Sequence, residues 1–91
     1  MDRVREKILR TAIERYGGSG QQLKAIEELS ELIRAIARAN YPENIAEEMA
    51  DVRIMLDQLE IIFGNHDAVK AWEFRKLQRL NHRLRVADRV E

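Results

Sequence analysis

Two short acidic segments hold the residues of this chain best suited to chemistry: Glu27-Glu28-Leu29-Ser30-Glu31 and Glu47-Glu48-Met49-Ala50-Asp51. Each contains acids three apart, Glu28 with Glu31 and Glu48 with Asp51. On a helix such residues share a face, with Cβ atoms about 5–6 Å apart, and like charges at that spacing repel. A divalent cation resolves the repulsion. Mg²⁺ accepts only oxygen ligands, typically a few carboxylates, with waters and substrate phosphates completing its octahedron. A cation held there polarises a phosphoryl oxygen and lowers the pKa of water. Four carboxylates suffice for one Mg²⁺ or for two close together.

Angular position separates these acids from an ordinary charged surface. At about 100° per residue, Val52, Met55 and Leu59 fall within roughly 40° of Glu48, so Glu48 projects along an apolar stripe with Asp51 at its edge. Glu28 lies about 40° from Leu32 and about 60° from Ala25, whereas Glu27 and Glu47 point away. A competing reading remains at this level. Lys24 stands four residues before Glu28 and Arg34 three after Glu31, spacings that suit surface ion pairs. Acids in the first turn of a helix also answer the helix dipole.

The elements that must position these residues follow from sparse punctuation. The only proline is Pro42, and the glycines are Gly17, Gly18, Gly20 and Gly64. Apolar residues recur at spacings of three and four, so the chain reads as helical throughout. A first helix is predicted over about residues 2–16, with Val4, Ile8, Ala12 and Ile13 inward. Gly17-Gly18-Ser19-Gly20 then forms a turn; it lacks the GxxxxGK[ST] spacing and the preceding strand of a phosphate loop. A second helix is predicted over about 21–39, with Leu23, Ile26, Leu29, Ile33 and Ile36 inward. Asn44 or a neighbour is expected to cap a third helix over about 44–63, carrying Ile45, Met49, Val52, Met55, Leu56, Leu59 and Phe63 inward. After Gly64-Asn65 a fourth helix is predicted from about His66 to Val86 or beyond, with Val69, Trp72, Leu77, Leu80 and Leu84. The short second connection favours antiparallel packing of helices two and three.

Composition removes several function classes. Sixteen basic and sixteen acidic residues cancel, which argues against a dedicated nucleic-acid binder. The absence of cysteine rules out disulfides, zinc fingers and a cysteine nucleophile. No apolar run approaches the roughly 20 residues of a membrane span, and no signal peptide is legible, so a cytoplasmic location is expected. Residues 21–65 hold nine acidic and four basic residues, and residues 66–91 four acidic and seven basic. With 91 residues, of which 45% are hydrophobic, a single domain covering residues 1–91 is expected to bury its surplus apolar surface against a second copy.

Glu28-x-x-Glu31, sixteen residues, then Glu48-x-x-Asp51, with Glu27 as an additional acid, resembles the EExxE…ExxD signature of the all-α nucleoside triphosphate pyrophosphohydrolases. The surrounding text is similar to the short MazG-like members of phage and bacterial type, over roughly residues 15–85. The resemblance implies an antiparallel four-helix MazG-like bundle completed by oligomerisation, as a homodimer or tetramer. It implies Mg²⁺-dependent cleavage of a (d)NTP to the monophosphate and pyrophosphate, with Glu28, Glu31, Glu48 and Asp51 as metal ligands and catalytic carboxylates.

The triphosphate also calls for basic side chains, and Lys76 and Arg79, three apart on the fourth helix, are candidates for it; the competing reading is a solvated basic face. Gln22 is a further substrate-binding candidate, set against a merely polar helix start. Trp72, Phe74 and Tyr41 are set between base stacking and core packing, and a lone Trp at helical spacing reads as core. His66 and His82 lack a zinc spacing, and His66 reads as part of a helix start. Phosphoribosyl-ATP pyrophosphohydrolase is the alternative enzyme, although its His-containing stretch has no counterpart in Val52-Arg53-Ile54-Met55-Leu56-Asp57. A non-catalytic helical partner-binding module is the alternative of a different class. Dimeric dUTPases are longer than this chain.

Overall fold

A computed structural model describes residues 1–89 as four helices: α1 (Arg3–Tyr16), α2 (Gly18–Ala37), α3 (Pro42–Phe63) and α4 (His66–Arg89). The described residues contain no strand, in keeping with the all-α expectation. Asp2 caps α1, its side chain accepting the Arg5 backbone N–H at 2.7 Å. The first turn is tighter than the glycine cluster suggests. Gly17 alone lies between helices, and Gly18-Ser19-Gly20 already belong to α2. Gly17 has φ 83° and ψ 151°, a region essentially restricted to glycine. Its N–H bonds the Ile13 carbonyl and its carbonyl accepts the Gln21 N–H, so one residue closes one helix and opens the next.

Helix α3 starts two residues earlier than expected. Pro42 occupies its first turn, where a missing N–H costs nothing, and Tyr41 rather than Asn44 takes the cap position without a side-chain bond. The end of α2 is closed by backbone alone. Ala39 adopts a left-handed conformation (φ 51°), its N–H bonds the Ile36 carbonyl, and the Asn40 N–H bonds the Ala35 carbonyl. This is a Schellman closure with alanine in the position glycine favours.

The core is the α2–α3 antiparallel pair, with α1 laid against both. Its inward residues differ from those the periodicity selects. On α2 the buried positions are Gln21, Ala25, Glu28 and Ala35, while the residues expected inward are exposed, Leu29 by 38% and Leu23, Ile26, Ile33 and Ile36 by 61–68%. On α1 Leu9 is buried, whereas Val4 and Ile8 face out. In both helices the inward face is rotated by about one residue, or 100°, from the stripe of largest apolar side chains. On α2 small residues explain the choice: Ala25 and Ala35 let the two backbones approach, as a row of Leu and Ile would not. On α3, Val52 and Met55 are buried as expected, with Gln58 beside them, but Met49, Leu56 and Phe63 are exposed.

Helix α4 approaches only α3 and buries none of its residues. The expected four-helix bundle is therefore present within one chain only as its helix count. Trp72, expected in the core, is 50% exposed with the Arg75 guanidinium 5.3 Å from its ring centroid. The resulting shape is elongated, 56 × 34 × 22 Å, with a radius of gyration of 16.7 Å against about 12 Å for a compact chain of this length.

The two positive-φ positions yield substitutions of opposite sign. Gly17→Ala is expected to destabilise the protein by about 1–3 kcal/mol, because a Cβ strains that conformation. Ala39→Gly is expected to stabilise it by about 1 kcal/mol, by relieving a left-handed alanine. Urea denaturation of both variants checks this, and equal signs would contradict the turn geometry.

Candidate metal centre

Antiparallel register brings the two acidic segments together. The buried Gln21 side chain donates to the Gln58 amide oxygen at 2.6 Å, which fixes residue 21 opposite residue 58. Counting from that pair, Glu28 falls opposite Asp51 and Glu31 opposite Glu48. Gln21 precedes Glu28 by two turns and Gln58 follows Asp51 by two, so the amide bond and the carboxylates lie along one seam. Sequence reasoning missed this amide pair. The signal was available as a polar residue seven positions from an inward acid on each helix.

One carboxylate oxygen from each of Glu28, Glu48 and Asp51 lies within 4.8 Å of the others. Glu28 is only 7% exposed, so it is no surface acid. Its Oε1 accepts from the Lys24 ammonium at 3.1 Å, while its Oε2 is buried without a hydrogen-bond partner. The Glu48 Oε2 is likewise buried and unpartnered. Glu31 lies outside this three-residue set but close enough to Glu48 to influence its titration. The Lys24–Glu28 pair anticipated as a surface ion pair thus forms, but it answers only one oxygen of a buried acid. The other anticipated pair, Glu31 with Arg34, does not form within 4.0 Å among the described residues.

The electrostatics agree with crowding. Burial raises the Glu48 carboxyl above its ordinary value, and Glu31, Asp51 and Glu28 raise it further. Burial also raises Asp51, reinforced by Glu28 and Glu47 and opposed weakly by Lys24. Hydrogen bonding to Glu28, then the charges of Glu27 and Glu28, raises Lys24.

The donor set fits a hard divalent cation. All donors are carboxylate oxygens, and adjacent octahedral ligands of Mg²⁺ stand about 3 Å apart, so the three side chains would close inward around the ion. Three carboxylates leave octahedral positions for water and phosphate oxygens.

The remaining sequence candidates lie elsewhere. Gln22 is half-buried at the start of α2, but the amide engaged with α3 belongs to its neighbour Gln21. Lys76 and Arg79 are exposed on α4, which does not approach α2. Asp51 lies about 20 Å along α3 from the Gly64 turn that leads into α4. Within one chain these cations do not meet the carboxylates. Tyr41 and Phe74 are exposed, as is His82, and His66 begins α4 with its Nδ1 3.2 Å from the Glu60 carboxylate.

A hollow of about 560 Å³ lies in the crook between α3 and α4, beside the Arg5–Asp57 ion pair at 2.7 Å. A smaller cleft of about 370 Å³ opens beside Glu31 and Glu48. Compared with known proteins, the chain matches no family model, no curated sequence and no solved structure.

The raised carboxyls set a pH dependence. In the folded protein Glu48 and Asp51 hold protons that the unfolded chain releases from about pH 4 upward. The folded state then binds more protons, so metal-free stability falls as pH rises from there through the raised folded-state values. Mg²⁺ is expected to reverse the loss, raising the thermal midpoint more at about pH 8 than at about pH 5. At 100 times its dissociation constant it adds about 2.7 kcal/mol. Calorimetric scans with and without Mg²⁺ at the two pH values test this, and an equal or absent shift would remove the site.

Proposed function

We propose that this protein is a Mg²⁺-dependent nucleoside triphosphate pyrophosphohydrolase of the MazG-like type, converting a (d)NTP to the (d)NMP and pyrophosphate. The observation that carries the reading is the convergence of Glu28, Glu48 and Asp51 from two helices, with two buried carboxylate oxygens lacking any partner. Protein stability alone gives little reason to crowd these carboxylates, of which only Glu28 has a countercharge among the described residues, in Lys24. Cation binding does. Glu31, beside Glu48, completes the EExxE…ExxD pattern.

When bound, Mg²⁺ would neutralise phosphate charge and make water a better nucleophile near neutral pH. The carboxylates orient the attacking water and receive or relay its proton. The water oxygen bonds to the α-phosphorus while the bond from the α-phosphorus to the α,β-bridging oxygen breaks, that oxygen keeping the electron pair and leaving as part of pyrophosphate. Little else is required of the protein, because phosphoryl transfer depends mainly on positioning and charge stabilisation.

The proposal includes a homo-oligomer. The chain exposes 7567 Å² of accessible surface, whereas a compact 10.7 kDa monomer exposes about 5,500 Å². The excess of about 2,000 Å² matches what one subunit buries in an obligate dimer. It includes the outward stripe of α2 and Trp72, Leu77, Leu80 and Leu84 of α4. Lys76 and Arg79 would reach a carboxylate site only across such a boundary.

Pyrophosphate release from a panel of canonical and modified (d)NTPs tests the activity. Release is expected with Mg²⁺, and its loss with EDTA or in Glu48→Gln, by at least about a hundredfold. If the folded protein with Mg²⁺ releases nothing from any triphosphate, the reading fails; phosphoribosyl-ATP is then the next substrate to try, and a partner-binding module the remaining reading. Light scattering tests the assembly separately. A mass of two or more chains is expected, reduced by Ile33→Glu, and a monomer at all concentrations would refute it.

A further inference from the structure

The cleft beside Glu31 and Glu48 is also lined by Arg34, Arg38, Asn40 and Asn44. Arg34 and Arg38 are four residues apart at the end of α2 and share a face. Neither guanidinium lies within 4.0 Å of a carboxylate among the described residues, although Glu31 and Glu47 line the same cleft. Arginines in the last turn of a helix commonly serve its free carbonyls. Here the backbone already does so: Arg38 N–H bonds the Arg34 carbonyl, Ala39 N–H that of Ile36, and Asn40 N–H that of Ala35. Two cations are thus left without work in the fold, at the mouth of a carboxylate site.

We propose that Arg34 and Arg38, with the Asn44 side-chain amide across the cleft, bind the terminal phosphates of the substrate. This rests on the reading that Glu28, Glu48 and Asp51 hold a cation for its inner phosphate. Each guanidinium presents a planar fork of donors matched to two phosphate oxygens. The acids of the cleft repel an anion arriving alone, so polyphosphate binding requires the divalent cation as well. The site therefore measures chain length. A triphosphate spans carboxylates and arginines, whereas a monophosphate reaches only one of them. The same two guanidiniums take up the charge that develops on pyrophosphate as it leaves.

Inorganic tripolyphosphate separates this inference from catalysis. Calorimetric titration should show Mg²⁺-dependent binding to the wild-type protein, weakened about tenfold or more in the Arg34→Ala/Arg38→Ala double variant. Binding of Mn²⁺ alone, read by electron paramagnetic resonance, should stay within about twofold in that variant and be lost in Glu48→Gln. Both arginines are exposed, and circular dichroism verifies that the variant keeps its helices. Equal tripolyphosphate binding by wild type and double variant, or none by the wild type with Mg²⁺, overturns the inference. Arginine-dependent binding without hydrolysis of any triphosphate would uphold the phosphate dock and sink the enzymatic reading instead.

Discussion

Close antiparallel packing of α2 on α3 is the constraint from which the rest follows. It buries Glu28 against Asp51 and brings Glu48 alongside, so that negative charge is crowded into a seam with one lysine to answer it. The seam tolerates this because its other members favour close approach. Ala25 and Ala35 are small, Val52 and Met55 fill the space opposite, and the Gln21–Gln58 bond satisfies both amides where they are buried. An acid at Glu28 would be harmless on the outside of α2. Burial is what gives it chemical significance.

The same packing has a consequence on the opposite side of the molecule. Turning the small and polar residues of α2 inward turns Leu23, Ile26, Ile33 and Ile36 outward, and α4 leaves its own apolar residues uncovered. Proposed catalytic seam and proposed oligomer surface are therefore two faces of one helix. A subunit boundary on the outer face would hold α2 rigid and so fix the carboxylates it carries, as the proposed metal site would require.

Charge is arranged along α2 with comparable economy. Lys24 stands one turn before Glu28, and Arg34 and Arg38 lie beyond Glu31 toward the open cleft. One helix thus supplies a cation that partly compensates the buried acid, the acids themselves, and two guanidiniums facing solvent at the mouth. Only the first is engaged by the fold. The division between an engaged lysine and disengaged arginines follows from position: the exposed Lys24 reaches Glu28 one turn on, and residues 34 and 38 flank the end of α2, where backbone hydrogen bonds have already closed the helix.

What the sequence determined by itself was local. Asp2, Gly17, Pro42 and Gly64 mark helix ends because capping and backbone conformation depend on neighbouring residues. Glu28 and Glu31 share a face, as do Glu48 and Asp51, because the helical period operates within one element. The tertiary structure decided which face of each helix became the interior. Hydrophobicity chose the Leu and Ile stripe of α2, whereas packing chose alanines, since interhelical distance is set by side-chain size at the contact. It also decided that Gln21 meets Gln58, that Glu28 meets Asp51, and that Arg34 and Arg38 border the acids while Lys76 and Arg79 do not. Those pairings depend on the register between helices, to which the periodicity of a single helix is blind.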